Sequence, residues 1–271
     1  FLMIRRPPRS THCISAAASD VYKRQNGDDP NVQDVLHSAN SPVIRFGFGE
    51  SCDLRAENII TSASGTKFDI FDKRQGEFSQ KQEFELNLAG KYNVLNALGV
   101  ITLARHNGIS DRDIQGAFDS FKCVRRRQEL LGEVNGIAVY DDFAHHPTAV
   151  RETIGAIRQK HADRRIIAVF EPRSNTSVRR VNQNALIDSL IDADEVILTT
   201  PYRVEQIPSE ERLDVDKVMN SLSKENVKAN YFPDVTEIIE HLKNNCRFGD
   251  IVLIMSNGKF GNIHQRLLDT L

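Results

Sequence analysis

The chain has 271 residues, of which 40% are hydrophobic and 27% are charged. This length suits two ordinary domains or one large domain, and the composition is that of an average globular protein. It excludes a disordered charged tail, a collagen-like fibre and a disulfide-dense miniprotein, and it contains no apolar run long enough to span a bilayer. With 35 basic and 37 acidic residues, the net charge of -2 predicts neither nucleic acid nor a membrane as a partner.

The near-balance of charge conceals a basic N-terminal segment. Residues 1–25 carry five basic residues and one acid, so they contribute +4 and the other residues contribute -6. The segment lacks the apolar stretch of a secretory signal and resembles translated sequencing-adapter sequence fused to a reading frame. We therefore predict that residues 1–25 are non-native and set them aside. The alternative is a basic arm for a phosphate-rich partner, with salt-sensitive binding of nucleic acid.

The cysteines predict a reducing compartment. Cys13, Cys52, Cys123 and Cys246 are far apart, and none belongs to a Cys/His cluster with the spacing of metal ligands. Isolated thiols are typical of cytosolic proteins, so we expect a cytoplasmic protein and no metal site within these residues.

The first half of the chain predicts short strands followed by two helices. Four segments between about residues 40 and 90 alternate apolar and polar residues, namely PVIRFGF, AENIITS, KFDIFD and EFELNL. Residues 94–109 then have apolar residues at helical spacing, and Gly108 lies where such a helix would stop. A second helix, DRDIQGAFDSF, follows Ser110 as its predicted N-cap.

After about residue 121 the pattern changes to strands that alternate with amphipathic helices. The predicted strands are ELLGEV, IAVYDD, RIIAVF, EVILT, a short strand ending at Tyr231–Phe232, and DIVLIM. Helices are expected from Pro147, near 180–191, over VDKVMNSLS, after an Asp234 cap, and over GNIHQRLLDTL. Such alternation predicts a mainly parallel sheet covered on both faces. Residues 121–271 therefore form one predicted α/β domain, and residues 26–120 form the end of another.

Ligands of open α/β sheets bind beyond the carboxyl ends of the strands, and three polar clusters lie at such ends. The first cluster, in YDDFAHHP, consists of Asp141, Asp142, His145 and His146. Carboxylates at this place can accept ribose hydroxyls or hold a metal indirectly, and a histidine can donate to an anion at the helix start. The alternative is a helix-capping turn with solvated histidines.

Two further clusters follow other predicted strands. The second, in VFEPRSNTS, consists of Glu171, Arg173, Ser174, Asn175 and Thr176. The third, in IMSNGKFGN, consists of Ser256, Asn257, Gly258, Phe260 and Gly261. An arginine offers a planar fork for carboxylate or phosphate, and a glycine-rich turn allows a ligand to approach the backbone. The alternatives are a polar loop and a plain strand-to-helix turn.

Two features lie upstream of these clusters. Asn93 and Asn96, in GKYNVLN, are three residues apart and so share one helix face. Paired amides suit an adenine edge because each offers a donor and an acceptor, although helix capping by Asn93 is the alternative. The basic triplet 125–127 precedes ELLGEV, where it is either solvated or able to reach phosphates.

These strings together resemble the Mur ligases, the ATP-dependent amide-bond-forming enzymes of peptidoglycan assembly. The resemblance is carried by VYDDFAHHPTAV, FEPRSNT, MSNGKFGNIHQ and RRRQELLGE. It implies a Rossmann-like, mainly parallel C-terminal domain over 121–271, preceded by the last part of a P-loop ATPase domain over 26–120. The sequence contains no GxxxxGK[ST] motif. We therefore expect this chain alone to be inactive, and we expect a GTxGKT motif in the DNA upstream of Asn26.

The resemblance also implies roles for single residues. Asn93 and Asn96 match an asparagine pair near the adenine of ATP, Arg127 a catalytic arginine near the nucleotide at the interdomain hinge, and Asp142 an acid on the ribose. His145 is the second implied catalytic residue. The residues implied to hold or face the incoming substrate are His145, His146, Arg173, Ser174, Asn175, Ser256 and Asn257. Tyr92 departs from the family pattern, which has histidine there, and this departure puts one nucleotide contact in doubt.

The implied substrates are ATP with Mg²⁺, UDP-N-acetylmuramate and an amine. The strings are most similar to the branch that joins murein tripeptide, L-Ala-γ-D-Glu-meso-diaminopimelate, to UDP-N-acetylmuramate in peptidoglycan recycling. Mg²⁺ ligands are expected upstream of these residues. The alternatives are the branch that adds L-alanine and a non-catalytic module that binds a nucleotide or peptide. The exact diamino acid, the oligomeric state and the metal stoichiometry are left open by the sequence.

Overall fold

A computed structural model describes residues 23–36, 39–75 and 81–271, which form two compact units. The first unit comprises residues 23–60, 65–87 and 91–121 within the described ranges, and the second comprises 61–64, 88–90 and 122–271. Within the described residues, no helix is both long and apolar enough to cross a bilayer.

The first unit contains a five-stranded sheet in the order β1-β2-β3-β4-β5. Its strands are β1 (Lys23–Asn26), β2 (Val43–Gly47), β3 (Leu54–Ser62), β4 (Gly65–Asp72) and β5 (Gln82–Leu86). Its helices are α1 (Pro30–Leu36), α2 (Lys91–His106) and α3 (Asp111–Ser120). β1, β2 and β3 run parallel, whereas β4 and β5 are antiparallel. Most of residues 1–25 lie outside the described residues, but Lys23 to Gln25 form part of β1, inside the segment that the sequence analysis set aside.

The second unit contains a six-stranded sheet in the order β10-β9-β8-β11-β7-β6. The strands are β6 (Glu129–Val134), β7 (Ile137–Asp142), β8 (Ile166–Phe170), β9 (Glu195–Thr199), β10 (Lys228–Phe232) and β11 (Ile251–Met255). The helices are α4 (Pro147–Lys160), α5 (Gln183–Leu190), α6 (Val215–Lys224), α7 (Val235–Asn245) and α8 (Ile263–Leu268). All pairs are parallel except β6 with β7, which confirms the predicted mainly parallel α/β fold.

Two apolar cores explain why the central strands are continuous hydrophobic runs. One core joins the sheet to α4, α5 and α6, and the other joins the opposite face to α7 and α8. Every residue of β7, β8, β9 and β11 is buried, because helices cover both faces. The four central strands are therefore open to a ligand only at their ends.

The helix boundaries follow from local capping chemistry. Ser110 accepts a hydrogen bond from the amide of Asp113, and Asp234 accepts from Thr236 and Glu237, as the predicted N-caps require. The terminal helix is shorter than the predicted 261–271, because left-handed backbone at Gly261 and Asn262 interrupts it before α8.

His161 makes the stability of the second unit depend on pH. Its Nε2 lies 2.9 Å from the hydroxyl of Tyr140, a side chain that is only 2% exposed. Burial, aided by Lys160 and Arg164, lowers the pKa of His161, so the unfolded chain binds its proton more readily. Stability is then complete above pH 6.5 and is lost as pH falls below it. We expect the urea midpoint to drop between pH 7.5 and 5.5, and to drop less in His161→Gln. An equal drop in both proteins would contradict this prediction.

Candidate functional site

The three predicted clusters meet at one edge of the second sheet. β11 lies between β7 and β8, and Met255 is paired with Asp142 on one side and with Phe170 on the other. Consequently the three polar clusters start at matching positions on three adjacent strands. This edge is the carboxyl edge, where open parallel sheets bind ligands.

Both carboxylate oxygens of Asp142 accept hydrogen bonds from backbone amides at this edge. Its side chain is 1% exposed, and its two oxygens accept from the amides of Gln128 (2.8 Å) and Ala144 (2.7 Å). Burial raises the pKa of Asp142 despite these bonds and the nearby Arg127. The carboxylate thus ties the turn after the basic triplet to the strand end. Its predicted contact with a ribose stays a prediction, since that contact requires the carboxylate to become accessible.

Asp141 faces the opposite side of the strand and lies beside an arginine and a histidine. Arg126 donates from Nε to Oδ2 at 3.0 Å, and its Nη2 donates to the carbonyl of Ser256 at 2.5 Å. His264 Nε2 lies 3.1 Å from Asp141 Oδ1, without hydrogen-bond geometry, and both atoms are buried. Burial alone would raise the pKa of Asp141, but His264 and Arg126 lower it. Arg126 therefore links the end of β7 to the loop after β11.

Ser256 connects the second and third clusters. It is completely buried, its hydroxyl donates to Glu171, and it accepts from the amide of Gly258 at 2.9 Å. Glu171 is 7% exposed and also accepts from Arg173 Nη1 at 3.3 Å. As folded, Ser256 positions Glu171, and Glu171 in turn contacts Arg173. The predicted contact of Ser256 with substrate stays a prediction.

Arg173 is held by neighbours on several sides. Its guanidinium carbon lies 3.7 Å from the centroid of the Tyr202 ring, a cation–π distance. An added side-chain carbon on Gly258 would lie 2.3 Å from Arg173 Cδ and Nε, so this glycine is required for the close approach. The side chain keeps 28% of its surface exposed. The guanidinium is thus preorganised, and it remains open to an anionic group.

The two histidines of the first cluster have different surroundings. His145 Nδ1 lies 2.9 Å from the carbonyl oxygen of Phe143, which can only accept, so Nδ1 carries the proton and Nε2 has the free lone pair in the neutral ring. His145 and Thr176 also line one crevice too narrow for a water molecule, which brings the first two clusters together. His146 is exposed and caps α4, since its Nδ1 accepts from the amide of Thr148. The predicted contact of His146 with substrate stays a prediction.

The remaining predicted substrate residues, Ser174, Asn175 and Asn257, differ in burial and in hydrogen bonding. Ser174 is bonded within its own loop, to the hydroxyls of Thr176 and Ser177. Asn175 is exposed beside it. Asn257 is half-buried, and its Oδ1 is buried without a hydrogen-bond partner among the described residues. A buried amide oxygen without a partner is costly, and the predicted contact of Asn257 with substrate stays a prediction.

The predicted nucleotide residues are divided between the two units. Asn93 and Asn96 both lie on α2 of the first unit, where Asn93 is half-buried and Asn96 is exposed. The shared helix face predicted for them is therefore present. Arg127 belongs to the second unit, is exposed, and has its guanidinium carbon 5.7 Å from the Phe143 ring. Their contacts with ATP stay predictions.

The described residues do not fit a metal ion by themselves. No group of three or more His, Cys, Asp or Glu side chains among them could hold one. Three acids of the site already contact other groups: Asp141 contacts Arg126, Asp142 accepts from backbone amides, and Glu171 accepts from Ser256. No Mg²⁺ ligand is therefore assigned to this part of the chain.

Sequence reasoning missed three residues that shape the site. Tyr202 and Arg203 follow β9, and His264 is in the terminal helix. Arg126 was predicted only as a member of the basic triplet 125–127, without its contact to Asp141. The sequence offered one signal for Tyr202 and Arg203, which is their position: TTPYR lies at the end of a buried strand, as the three predicted clusters do. Nothing in the local sequence indicated that Tyr202 would contact Arg173.

The fold and the site define an α/β domain with a preorganised, partly exposed arginine at the carboxyl edge of its sheet. A family model described as Mur ligase middle domain matches residues 15–104, and one described as Mur ligase, glutamate ligase domain matches residues 126–258. The chain belongs to the Mur ligase family, whose members are ATP-dependent amide-bond ligases.

The curated relatives are ligases that act on UDP-N-acetylmuramate. UDP-N-acetylmuramate–L-alanyl-γ-D-glutamyl-meso-2,6-diaminoheptandioate ligase of Escherichia coli K12 is 40% identical over 224 residues, covering 82% of this chain and 46% of that protein. UDP-N-acetylmuramate–L-alanine ligase of Salinibacter ruber is 30% identical over 244 residues, covering 90% and 50%. The chain thus spans about half the length of the curated relatives it matches.

A solved structure agrees with this placement. The murein peptide ligase of Psychrobacter arcticus matches with a TM-score of 0.66 and 32% identity, covering 93% of this chain and 51% of that one. The UDP-N-acetylmuramate–alanine ligase of Thermotoga maritima has a TM-score of 0.72 at 20% identity, covering 91% and 50%, and shows the fold alone.

Proposed function

We propose that the protein takes part in ATP-dependent ligation of murein tripeptide to UDP-N-acetylmuramate. The observation that carries the proposal is the 40% identity to the Escherichia coli tripeptide ligase over 224 residues. The L-alanine ligase of Salinibacter ruber is 30% identical over a similar length. The preorganised Arg173 gives physical support, because a tripeptide ending in diaminopimelate offers several carboxylates to a guanidinium fork.

In the proposed reaction, ATP phosphorylates the carboxylate of UDP-N-acetylmuramate. The amine of the tripeptide attacks the acyl phosphate carbon, and inorganic phosphate leaves with the electrons of the broken C–O bond. Arg173 would hold a carboxylate of the tripeptide, so that the amine is oriented for attack. His145 Nε2, with its free lone pair, would accept the proton that the amine loses.

The nucleotide part of the reaction is assigned to residues whose side chains are at least partly exposed. Asn93 and Asn96 would contact the adenine, and Arg127 would contact phosphate at the nucleotide. Mg²⁺ would be held by residues other than those described, because these offer no ligand cluster. We further propose a cytoplasmic location, in keeping with the free thiols of Cys52 and Cys246.

A chimaera tests whether these residues select the tripeptide. The first half of the Salinibacter ruber L-alanine ligase is joined to residues 26–271, and ATP-dependent product formation is measured with tripeptide and with L-alanine. We expect UDP-N-acetylmuramoyl tripeptide from the chimaera, whereas the intact Salinibacter ruber ligase is the control for L-alanine. If the chimaera uses only L-alanine, the tripeptide proposal is wrong.

A non-catalytic module that binds a nucleotide or peptide is the second candidate, because the preorganised and partly exposed Arg173 would serve binding without catalysis equally well. Calorimetric titration of the chain with ATP and with tripeptide separates the two functions. Turnover by the chimaera supports the ligase, whereas tight binding by the chain without any turnover in the chimaera supports the module.

A further inference from the structure

A second arginine lies beside the Tyr202 ring. The guanidinium carbon of Arg203 lies 5.0 Å from the ring centroid, and that of Arg173 lies 3.7 Å from it. The two guanidinium carbons are therefore separated by at most the sum of these two distances. Diaminopimelate is a seven-carbon diacid, and its two carboxylates can each reach one of two guanidinium groups at such a separation.

The backbone fixes Arg203 at this place. The amide of Tyr202 donates to the carbonyl of Pro172 at 2.9 Å, which ties the loop after β9 to the loop after the adjacent β8. Arg203 itself has φ of 53° and ψ of 37°, a left-handed conformation that non-glycine residues rarely adopt. The amide of Gln206 donates to the carbonyl of Arg203 at 3.0 Å and holds the turn. Arg203 is thus presented next to the ring by an ordered turn.

The charges of this cluster do not balance. Glu171 accepts from Arg173 and is the carboxylate that neutralises it. Arg203 is exposed, and no carboxylate among the residues that the structure describes lies within ion-pair distance of it. The neighbouring Ser174 and Asn175 are neutral. One positive charge therefore stays available for an anionic group of a ligand that already contacts Arg173.

We propose that Arg203 binds a second carboxylate of the incoming amine substrate and thereby selects a dicarboxylic terminal residue. This inference rests on the proposed function for the identity of the substrate. It adds a specificity-determining residue on the loop after β9. Tyr202 acts as a positioning residue, because its ring contacts both guanidinium groups.

Binding by the chain to two matched peptides tests the proposal. L-Ala-γ-D-Glu-meso-diaminopimelate and L-Ala-γ-D-Glu-L-lysine differ by one carboxylate. We expect the 271-residue chain to bind the diaminopimelate peptide about tenfold more tightly, as one added charge-assisted hydrogen-bonded pair implies. Arg203→Gln should remove this difference, and Arg203→Lys should retain part of it, since lysine keeps the charge but loses the fork.

The matched control is Arg247→Gln, which removes an exposed arginine next to the amino end of β11, at the other edge of the sheet. It should leave the tenfold difference unchanged. Unchanged urea midpoints establish that each variant is folded. An equal preference in wild type and Arg203→Gln overturns the proposal, as does the absence of any peptide binding by the wild-type chain. The ligation assay of the chimaera reports separately on the proposed function, so a carboxylate-dependent preference without ligation would leave this subsite standing.

Discussion

Replacement of Gly258 by alanine is expected to weaken tripeptide binding at least tenfold while the protein stays folded. The new Cβ would lie 2.3 Å from Arg173 Cδ and Nε, which is too close for both groups to stay in place. The Gly258 amide is fixed by its hydrogen bond to the Ser256 hydroxyl, whereas Arg173 is a flexible side chain. Arg173 must therefore leave the ring of Tyr202.

The backbone itself accepts alanine at this position. Gly258 is not among the described glycines with positive φ, so the substitution adds no conformational strain there. We expect the free energy of unfolding to change by less than about 1 kcal/mol. The loss of binding then reports on the position of Arg173, because charge and fold are both retained.

Gly155→Ala is the matched control for this variant. An alanine Cβ at Gly155, within α4, would meet no atom within 4 Å. It should raise stability by about 0.5–1 kcal/mol, as alanine does within a helix, and leave binding unchanged. Calorimetric titration with the tripeptide and urea unfolding give the two measurements. If Gly258→Ala binds the tripeptide with wild-type affinity, the position of Arg173 on the Tyr202 ring is not needed for binding.

The strands and helices of the second unit could be predicted because local sequence determines them. Buried runs such as IAVYDD and DIVLIM end at polar residues, and Pro147 and Asp234 mark helix starts with specific backbone chemistry. Since every central strand is parallel, the polar ends had to lie on one edge of the sheet. The location of the candidate site followed from these two facts.

The contacts inside the site could not be predicted, because they depend on strand order and burial. β11 lies between β7 and β8, and only this order allows Ser256 to reach Glu171. The resemblance to the Mur ligases implied that Ser256 faces the substrate, and it could not show that this side chain is completely buried against Glu171. Tyr202 follows a strand that no motif singled out, and its role depends on the adjacency of β8 and β9.

Glu195→Ala is expected to destabilise the protein by about 3 kcal/mol. Glu195 is 1% exposed at the amino end of β9 and accepts from Asn230 at 2.7 Å. Its carboxylate also contacts three basic side chains, Arg165, Lys228 and His241. Burial alone would raise the pKa of Glu195, but His241, Lys228 and Arg165 hold it below the usual value. Alanine would leave the basic groups without their shared acceptor. Because these groups are partly exposed, we expect a loss of stability near the lower limit found when one partner of a buried ion pair is removed.

Urea unfolding measures this effect against Glu225→Ala, which removes an exposed glutamate after α6 and should change stability by less than about 0.5 kcal/mol. Because the pKa of Glu195 is lowered, its contribution is present above pH 4.5 and is lost as pH falls further, so the two variants should converge in acid. Tripeptide affinity should be unchanged in Glu195→Ala, since the amino ends of the strands lie across the sheet from Arg173. A variant that unfolds like wild type would refute the stabilising role, and one that loses affinity while folded would show that the two edges are coupled.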